Sequence, residues 1–297
     1  MTGGVVVGIE LGGTKIVVGV ASIGGELDRR FRIDTTTPGD TLARVRNVID
    51  AEAGSRLLAL GVGSFGPLDL RPGSDTFGQL VSTPKPDWSG TDVVAGTLGN
   101  HAVPFALDTD VNAALLGEMV HGGWNEAPTA YLTVGTGIGG ALWVDGRLIH
   151  GANHPEIGHV AVKRHPNDSY PGRCPYHGDC LEGMAAGPSL EARFGERAED
   201  LGRAAADAAA ELSSWYVASG IASLASVLPV ERVIIGGGVA HIPGFHHSVH
   251  DHLRSLSAHY PPVPFAGEGP DIVPPALGDD AGVLGAIELA RRALGSR

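Results

Sequence analysis

The fold is decided by the stretch Val5-Val6-Val7-Gly8-Ile9-Glu10-Leu11-Gly12-Gly13-Thr14-Lys15-Ile16-Val17-Val18. A run of mostly β-branched residues, Val5–Ile9, leads into two glycines, and a second apolar run, Ile16–Ala21, begins directly after Lys15. β-Branched residues favour strands, and glycines favour tight turns. The stretch therefore predicts two strands joined by a glycine turn.

A second stretch repeats this order. Thr133-Val134-Gly135-Thr136-Gly137-Ile138-Gly139-Gly140 leads into the apolar run Ala141–Val144, and the hairpin pair Asp145-Gly146 follows. Strand, glycine and threonine turn, and strand thus occur twice in one chain. The repetition indicates two related α/β lobes that face each other across a cleft.

The rest of the chain alternates short apolar runs with longer helical patterns. Further strands are predicted at Ala59–Gly63, Val103–Leu107, Ala130–Val134 and Val233–Ile235. Helices are predicted at Thr41–Ala53, Val111–His121, Ala198–Leu228, Gly244–Ser257 and Ala281–Leu294. This alternation is typical of an α/β protein. Two long irregular segments, Arg71–Gly90 and His150–Gly187, predict functional or stapled loops.

Composition excludes several classes of function. The 297 residues contain 21 Lys and Arg against 33 Asp and Glu, and the net charge of −12 argues against nucleic acid or an anionic membrane surface as the main partner. The longest uncharged run, Leu212–Val230, contains serines, Gly220 and Pro229 and predicts a buried helix rather than a membrane span. Without a basic leader or cleavage pattern at the start, we expect a cytoplasmic protein.

The two glycine turns are candidate anion sites. Neither matches a Walker loop, and neither fits a dinucleotide fingerprint, because a strand rather than a helix follows each turn. Backbone N–H groups of such turns converge on anions, and the hydroxyls of Thr14 and Thr136 would add donors beside the charge of Lys15. An ordinary tight hairpin turn is the alternative for either one.

A carboxylate stands at the end of a predicted strand. Val103–Leu107 is followed by Asp108-Thr109-Asp110, which opens a helix. Any of these three side chains could cap that helix. The functional alternative is a carboxylate at the carboxyl end of a strand, where α/β proteins bind ligands and where it could accept a hydroxyl proton.

Cysteine and histidine spacing predicts a metal site. Cys174, His177 and Cys180 form a Cys-x2-His-x2-Cys loop, and His154, His159 or His165 could each supply a fourth ligand. Four such ligands are typical of a structural Zn²⁺ site without an open position for water. The flanking Glu156 and Glu182 could bind a polyol or could be solvated surface residues. Gly236–Gly238, after a strand, could admit a flat base or allow close helix packing.

Together these motifs resemble the ROK family of sugar kinases, most closely its bacterial fructokinase branch, over nearly the whole chain. The matching stretches include Gly8–Lys15, Gly63–Asp69, Thr83–Trp88, Asp108–Ala114, Gly135–Gly139, His154–His159, Cys174–Gly183, Gly236–Gly238 and Asp280–Ala286. The resemblance implies an actin-like ATPase (ribonuclease H-like) fold whose two lobes bind ATP and Mg²⁺ in a central cleft. We expect an N-terminal lobe of residues 1–109 completed by helix 281–294, and a larger lobe of residues 110–280 with the catalytic aspartate.

The resemblance also implies roles for individual residues. Asp110 matches the catalytic base. The nucleotide-binding positions are Gly12, Gly13, Thr14, Lys15, Thr136, Gly137, Gly139, Pro188, Gly236, Gly237 and Gly238. The sugar-contacting positions are Asn112, Glu156, His159 and Glu182, and the zinc ligands are His159, Cys174, His177 and Cys180. Glu10 stands where many members have Asp, which leaves the position of Mg²⁺ open.

The implied activity is ATP-dependent phosphorylation of a hexose, D-fructose to fructose 6-phosphate, in a homodimer. Thr83–Trp88 and the two-cysteine form of the zinc loop favour fructose over glucose, mannose or an N-acetylated hexose. A sugar sensor without turnover is an alternative against which Lys15, Asp110 and Thr136 argue. A sugar-responsive DNA-binding regulator is disfavoured because the first turn begins at residue 8 and the net charge is −12.

Overall fold

The computed structural model describes residues 3–257 and 269–295. The strands are β1 (Val5–Leu11), β2 (Lys15–Ser22), β3 (Leu27–Asp34), β4 (Leu57–Ser64), β5 (Phe105–Thr109), β6 (Thr129–Val134), β7 (Ile138–Val144), β8 (Arg147–Leu148), β9 (Arg232–Gly236) and β10 (Asp271–Val273). The α-helices are α1 (Pro38–Glu52), α2 (Val93–Leu98), α3 (Asp110–His121), α4 (Leu181–Ala185), α5 (Gly187–Phe194), α6 (Arg203–Val227), α7 (Phe245–Leu256) and α8 (Ala281–Gly295). No helix within these ranges has the length and apolar character needed to cross a bilayer.

The chain divides into two compact units that share one topology. The first unit comprises Met1–Trp124, His150–His154 and Asp279–Arg297, and the second comprises Asn125–Ile149 and Pro155–Gly278. The sheet of the first unit has the order β3-β2-β1-β4-β5, and that of the second has the order β8-β7-β6-β9-β10. Antiparallel and parallel pairings occur at the same places in both sheets. The repetition seen in the sequence is therefore a repetition of the whole sheet.

Strand burial explains which strands the sequence revealed. β1 lies in the centre of its sheet, and six of its seven residues are buried, which matches its continuous apolar run. β3 at the sheet edge was not predicted, because its sequence Leu-Asp-Arg-Arg-Phe-Arg-Ile-Asp is largely charged and exposed. Charged side chains are common on edge strands, where they prevent pairing with other chains.

Helix α3 belongs to the first unit, which places the division between the units at residue 124 instead of the predicted 109. The reason is the contact of α3 with α8. A Cβ atom at Gly285 would lie 1.6 Å from the carbonyl oxygen of Ala113, so only glycine permits this approach of the two helices. Asp110, at the start of α3, consequently lies in the same unit as the first glycine turn. Helix α8 also packs against β1 and β4 and lies in the first unit.

Helix boundaries differ from the predictions mainly around α6. The predicted helix Ala198–Leu228 begins only at Arg203, because a separate 3₁₀ turn occupies Ala198–Asp200. Three short helices, α2, α4 and α5, were not predicted. Helices α4 and α5 lie in or next to the segment 150–187 and position the site residues described below.

Candidate active site

The first glycine turn joins β1 to β2. The backbone N–H of Gly12 donates to the carbonyl oxygen of Lys15 at 3.1 Å, and Gly13 and Thr14 form the exposed tip. The ammonium group of Lys15 lies 3.8 Å from the carboxylate of Asp279. Because Asp279 is mostly exposed, this ion pair is weak and leaves Lys15 available to a stronger anion.

Glu10 is a buried carboxylic acid directly before this turn. Its Oε2 atom is buried and has no hydrogen-bond partner among the residues that the structure describes. Burial, and then the negative charge of Asp110, raise the pKa of Glu10 to about 7. A carboxylate in this position is poorly compensated and favours the approach of a cation.

Asp110 lies at the junction of β5 and α3. Thr109 caps the helix by accepting a hydrogen bond from the N–H of Asn112 on its hydroxyl (3.2 Å), and Asp110 Oδ1 accepts the N–H of Val111 (2.8 Å). The strand end thus places Asp110 in the first helical turn. Its effect on the pKa of Glu10 shows that the two acidic groups interact.

The side chain of Asn112, in the same helical turn, is held by Asp108. It is fully buried, and its Nδ2 donates to Asp108 Oδ1 at 2.6 Å, whereas its Oδ1 has no partner in the described part of the chain. The Nδ2 of its amide is therefore engaged within the protein, whereas the resemblance implies a sugar contact for this residue. That role stays a prediction.

The second glycine turn joins β6 to β7 in the second unit. The N–H of Gly135 donates to the carbonyl oxygen of Gly137 at 2.9 Å, and Glu182 Oε2 accepts the N–H of Ile138 at 2.9 Å. Glu182 thus supports the turn from α4, and the sugar contact that the resemblance implies for it stays a prediction. Gly139 lies within β7, opposite Thr133, and is part of the strand rather than of the turn.

A pocket opens beside this second turn. The N–H of Gly187, at the start of α5, donates to the carbonyl oxygen of Gly135 at 2.7 Å, which fixes the helix against the turn. The pocket has a volume of about 1070 Å³ and brings together three predicted nucleotide positions, Thr136, Pro188 and Gly238. The other lining residues are Gly135, Gly187, Glu191, Arg197, Ala198, Leu201, Arg203, Ala206, Asp207, Val239, His241, Ile242 and Pro243.

The neighbouring glycines shape the pocket without lining it. Gly237 has φ of +91°, and a Cβ there would lie 2.5 Å from the carbonyl oxygen of Val134, so only glycine fits. Gly236 ends β9, and Gly137 contacts Glu182. Most of the apolar wall comes from the turn before α6 and the loop after β9, which the sequence did not single out.

His159, Cys174, His177 and Cys180 form one cluster, as the spacing and the resemblance predict. Their four potential ligand atoms all lie within 4.8 Å of one another. Cys174 and Gly178 exchange two backbone hydrogen bonds of 3.0 Å, which close the loop and direct the ligands inward. His154 instead accepts the N–H of Leu68 in the first unit, and His165 faces Glu211.

The donor set fits a tetrahedral metal. Cys174 Sγ lies 3.7 Å from the Nδ1 atoms of His159 and His177, and Cys180 Sγ lies 3.5 Å from that of His159. Zinc bonds of about 2.3 Å to sulfur and about 2.05 Å to nitrogen give a tetrahedral edge of about 3.6 Å. Burial raises the pKa of the Cys180 thiol to about 11, so the thiol is protonated unless a cation binds there.

The duplicated sheet, its paired glycine turns and the pocket define an actin-like ATPase fold. A solved ROK hexokinase from Thermus thermophilus has this fold, with a TM-score of 0.76 and 29% identity over 99% of this chain and 100% of that one. A ROK family glucokinase from Streptomyces griseus, solved with glucose and AMPPNP, has a TM-score of 0.72 and 23% identity over 97% of this chain and 100% of that one.

Sequence comparison identifies the family. The ROK family profile matches residues 6–293, so the chain belongs to the ROK family. A fructokinase of Zymomonas mobilis subsp. mobilis is 38% identical over 292 residues, which cover 95% of both chains.

Proposed function

We propose that this chain transfers the γ-phosphoryl group of ATP to a hexose, with D-fructose as the substrate and fructose 6-phosphate as the product. The observation that carries the proposal is the pocket beside the second glycine turn. It unites Thr136, predicted to bind phosphate, with Pro188 and Gly238, predicted to lie near the nucleoside. The 38% identity to a fructokinase over nearly the full length, and the segment Thr83–Trp88, support fructose.

In the proposed reaction, Asp110 accepts the proton of the 6-hydroxyl group, and the hydroxyl oxygen attacks the γ-phosphorus in line. The transition state of phosphoryl transfer is loose, so positioning and charge neutralisation supply most of the acceleration. Lys15 and the N–H groups of both glycine turns would neutralise phosphate charge. Glu156, which is exposed and lies three residues before the proposed zinc ligand His159, would accept hydrogen bonds from sugar hydroxyls.

Two metals belong to the proposal. The residues fit a Mg²⁺ ion in the first unit, because the unpartnered Oε2 of Glu10 offers it a buried anionic oxygen beside Asp110. Mg²⁺ would shield the phosphate charges of ATP. His159, Cys174, His177 and Cys180 would hold Zn²⁺ with no position left for water, so its role would be to rigidify segment 150–187.

An ATP-consumption assay of the purified protein tests the activity. Fructose should give the highest kcat/KM, and glucose, mannose and N-acetylated hexoses should give less. If another hexose gave a higher kcat/KM, that hexose would replace fructose as the proposed substrate. No ATP consumption with any of these hexoses would favour the sugar sensor without turnover. Light scattering checks the homodimer, which stays a prediction.

Metal analysis tests the zinc proposal. We expect about one zinc ion per chain in protein prepared without chelators, and loss of that zinc in Cys180→Ser. His247→Ala is the matched control, because His247 is 82% exposed and pairs with Asp251 on its own helix. Substantially less than one zinc ion per chain in the unmodified protein would contradict the assignment.

A further inference from the structure

A histidine outside the predicted site contacts the strand that directly precedes Asp110. His150 follows β8, and its Nε2 donates to Asp108 Oδ2 at 2.8 Å. Asp108 is 4% exposed, so this hydrogen bond links a partly exposed ring to a buried carboxylate. The residues are 42 positions apart in the sequence, and no motif linked them.

Asp108 connects this histidine to the first turn of α3. Its other oxygen, Oδ1, accepts the N–H of Thr109 at 2.8 Å and Nδ2 of Asn112 at 2.6 Å. Because the carboxylate requires the proton on His150 Nε2, the 3.4 Å approach of Asn112 Nδ2 to the same nitrogen is a contact and not a hydrogen bond. Three donors thus hold the Asp108 carboxylate. Thr109 and Asn112 bind its Oδ1, and His150 binds its Oδ2.

The segment that contains His150 is attached to the first unit at further points. Asn153 accepts the N–H of Leu70 at 2.9 Å and donates to the carbonyl oxygen of Leu68 at 3.0 Å. His154 accepts the N–H of Leu68 at 3.2 Å. Residues 150–154 are therefore a defined part of the first unit, although the chain on either side belongs to the second.

We propose that His150 and Asp108 are positioning residues for phosphoryl transfer: His150 orients Asp108, and Asp108 holds the turn that presents Asp110 to the sugar hydroxyl. The proposal rests on the proposed role of Asp110 as base. A displacement of about 1 Å in a reacting group can cost about a hundredfold in rate. Loss of the pair should therefore lower kcat, whereas KM for ATP should change little, because the nucleotide pocket lies in the second unit.

The test compares kcat and KM of His150→Ala, His150→Gln and His150→Asn. Gln can place an N–H donor where Nε2 stands, whereas the shorter Asn cannot reach Asp108. We expect kcat to fall about ten- to hundredfold in His150→Ala and His150→Asn, with KM for ATP within threefold, and His150→Gln to recover most of the loss. If His150→Ala does not fold, the Gln and Asn variants still make the comparison.

His101→Ala is the matched control. His101 donates to Asp50 Oδ1 at the same 2.8 Å in the same unit, away from Asp110, so its kcat should stay within twofold of the unmodified protein. Equal kcat values for the Gln and Asn variants, or a normal kcat in His150→Ala, would overturn the proposal. Failure of the proposed function gives a different result, namely no sugar-dependent ATP consumption in the unmodified protein or normal turnover in Asp110→Asn.

Discussion

The two glycine turns occupy the same place in two sheets of identical strand order, yet their surroundings differ. The first turn is surrounded by charge, with Glu10 before it, Lys15 after it and Asp110 interacting with Glu10. The second turn is supported by Glu182 and opens into a pocket of about 1070 Å³. The topology supplies a glycine turn in each unit, and under the proposed function the flanking residues assign the first turn to the chemistry and the second to nucleotide binding.

The largest expected effect concerns the chemistry of the first unit. Asp110→Asn removes the proposed proton acceptor and should lower kcat by about 10²–10⁴-fold, since this is the usual contribution of a general base. KM for ATP should stay nearly unchanged, because the pocket lies in the other unit. Steady-state kinetics with fructose provides the measurement. A near-normal kcat in this variant would show that Asp110 is not the base. The proposed chemical difference between the two units would then be lost as well.

The second prediction uses the buried Glu10. Because its pKa is raised from 4.5 to about 7 in the folded protein, the unfolded chain loses this proton first as the pH rises. The free energy of unfolding should therefore fall by about 3 kcal/mol between pH 4.5 and pH 7 on account of this group, and Glu10→Gln should abolish that fall.

Urea unfolding of both proteins at pH 5 and pH 8, without Mg²⁺ or nucleotide, measures the effect. The Gln variant should gain stability relative to the unmodified protein only at the higher pH. In an Asp110→Asn background the difference should shrink, because the charge that helps to raise the pKa is gone. An equal difference at both pH values would show that Glu10 is not held in its protonated form.

The smallest expected effect distinguishes the turns themselves. Thr136→Val removes a hydroxyl that lines the pocket and should raise KM for ATP about tenfold, the value of about one hydrogen bond to a charged group. Thr14→Val should raise it less, because Thr14 does not line this pocket. Initial rates at varied ATP decide the order. A larger effect at Thr14 would show that the first turn, and not the second, contributes more to ATP binding.

Local sequence patterns predicted the elements whose burial produces such a pattern, the buried strands above all. The apolar runs identified β1, β2 and β4 because these strands are buried on both faces. The edge strand β3 escaped prediction because its charged residues face solvent. The division between the units falls at residue 124 because of a contact between α3 and α8, about 170 residues apart, which no local pattern contains.

The candidate site divides in the same way. Ligand spacing predicted three members of the His/Cys cluster, and only the family resemblance selected His159 over His154 and His165. The hydrogen bond between His150 and Asp108 joins distant residues of ordinary types, and periodicity or spacing does not reveal it. The residues of α6 that line the pocket were missed for a similar reason, since Arg203 and Asp207 look like solvated residues at the start of a long helix.

The contact of α8 with β1, β4 and α3 has a consequence for biosynthesis. These strands leave the ribosome early, but the helix that covers them, Ala281–Gly295, follows the second unit along the chain and is made much later. The N-terminal unit therefore completes its core only after the whole second unit has been translated. Newly made chains must keep the apolar surface around Gly8 and Gly61 out of wrong contacts until α8 has been made.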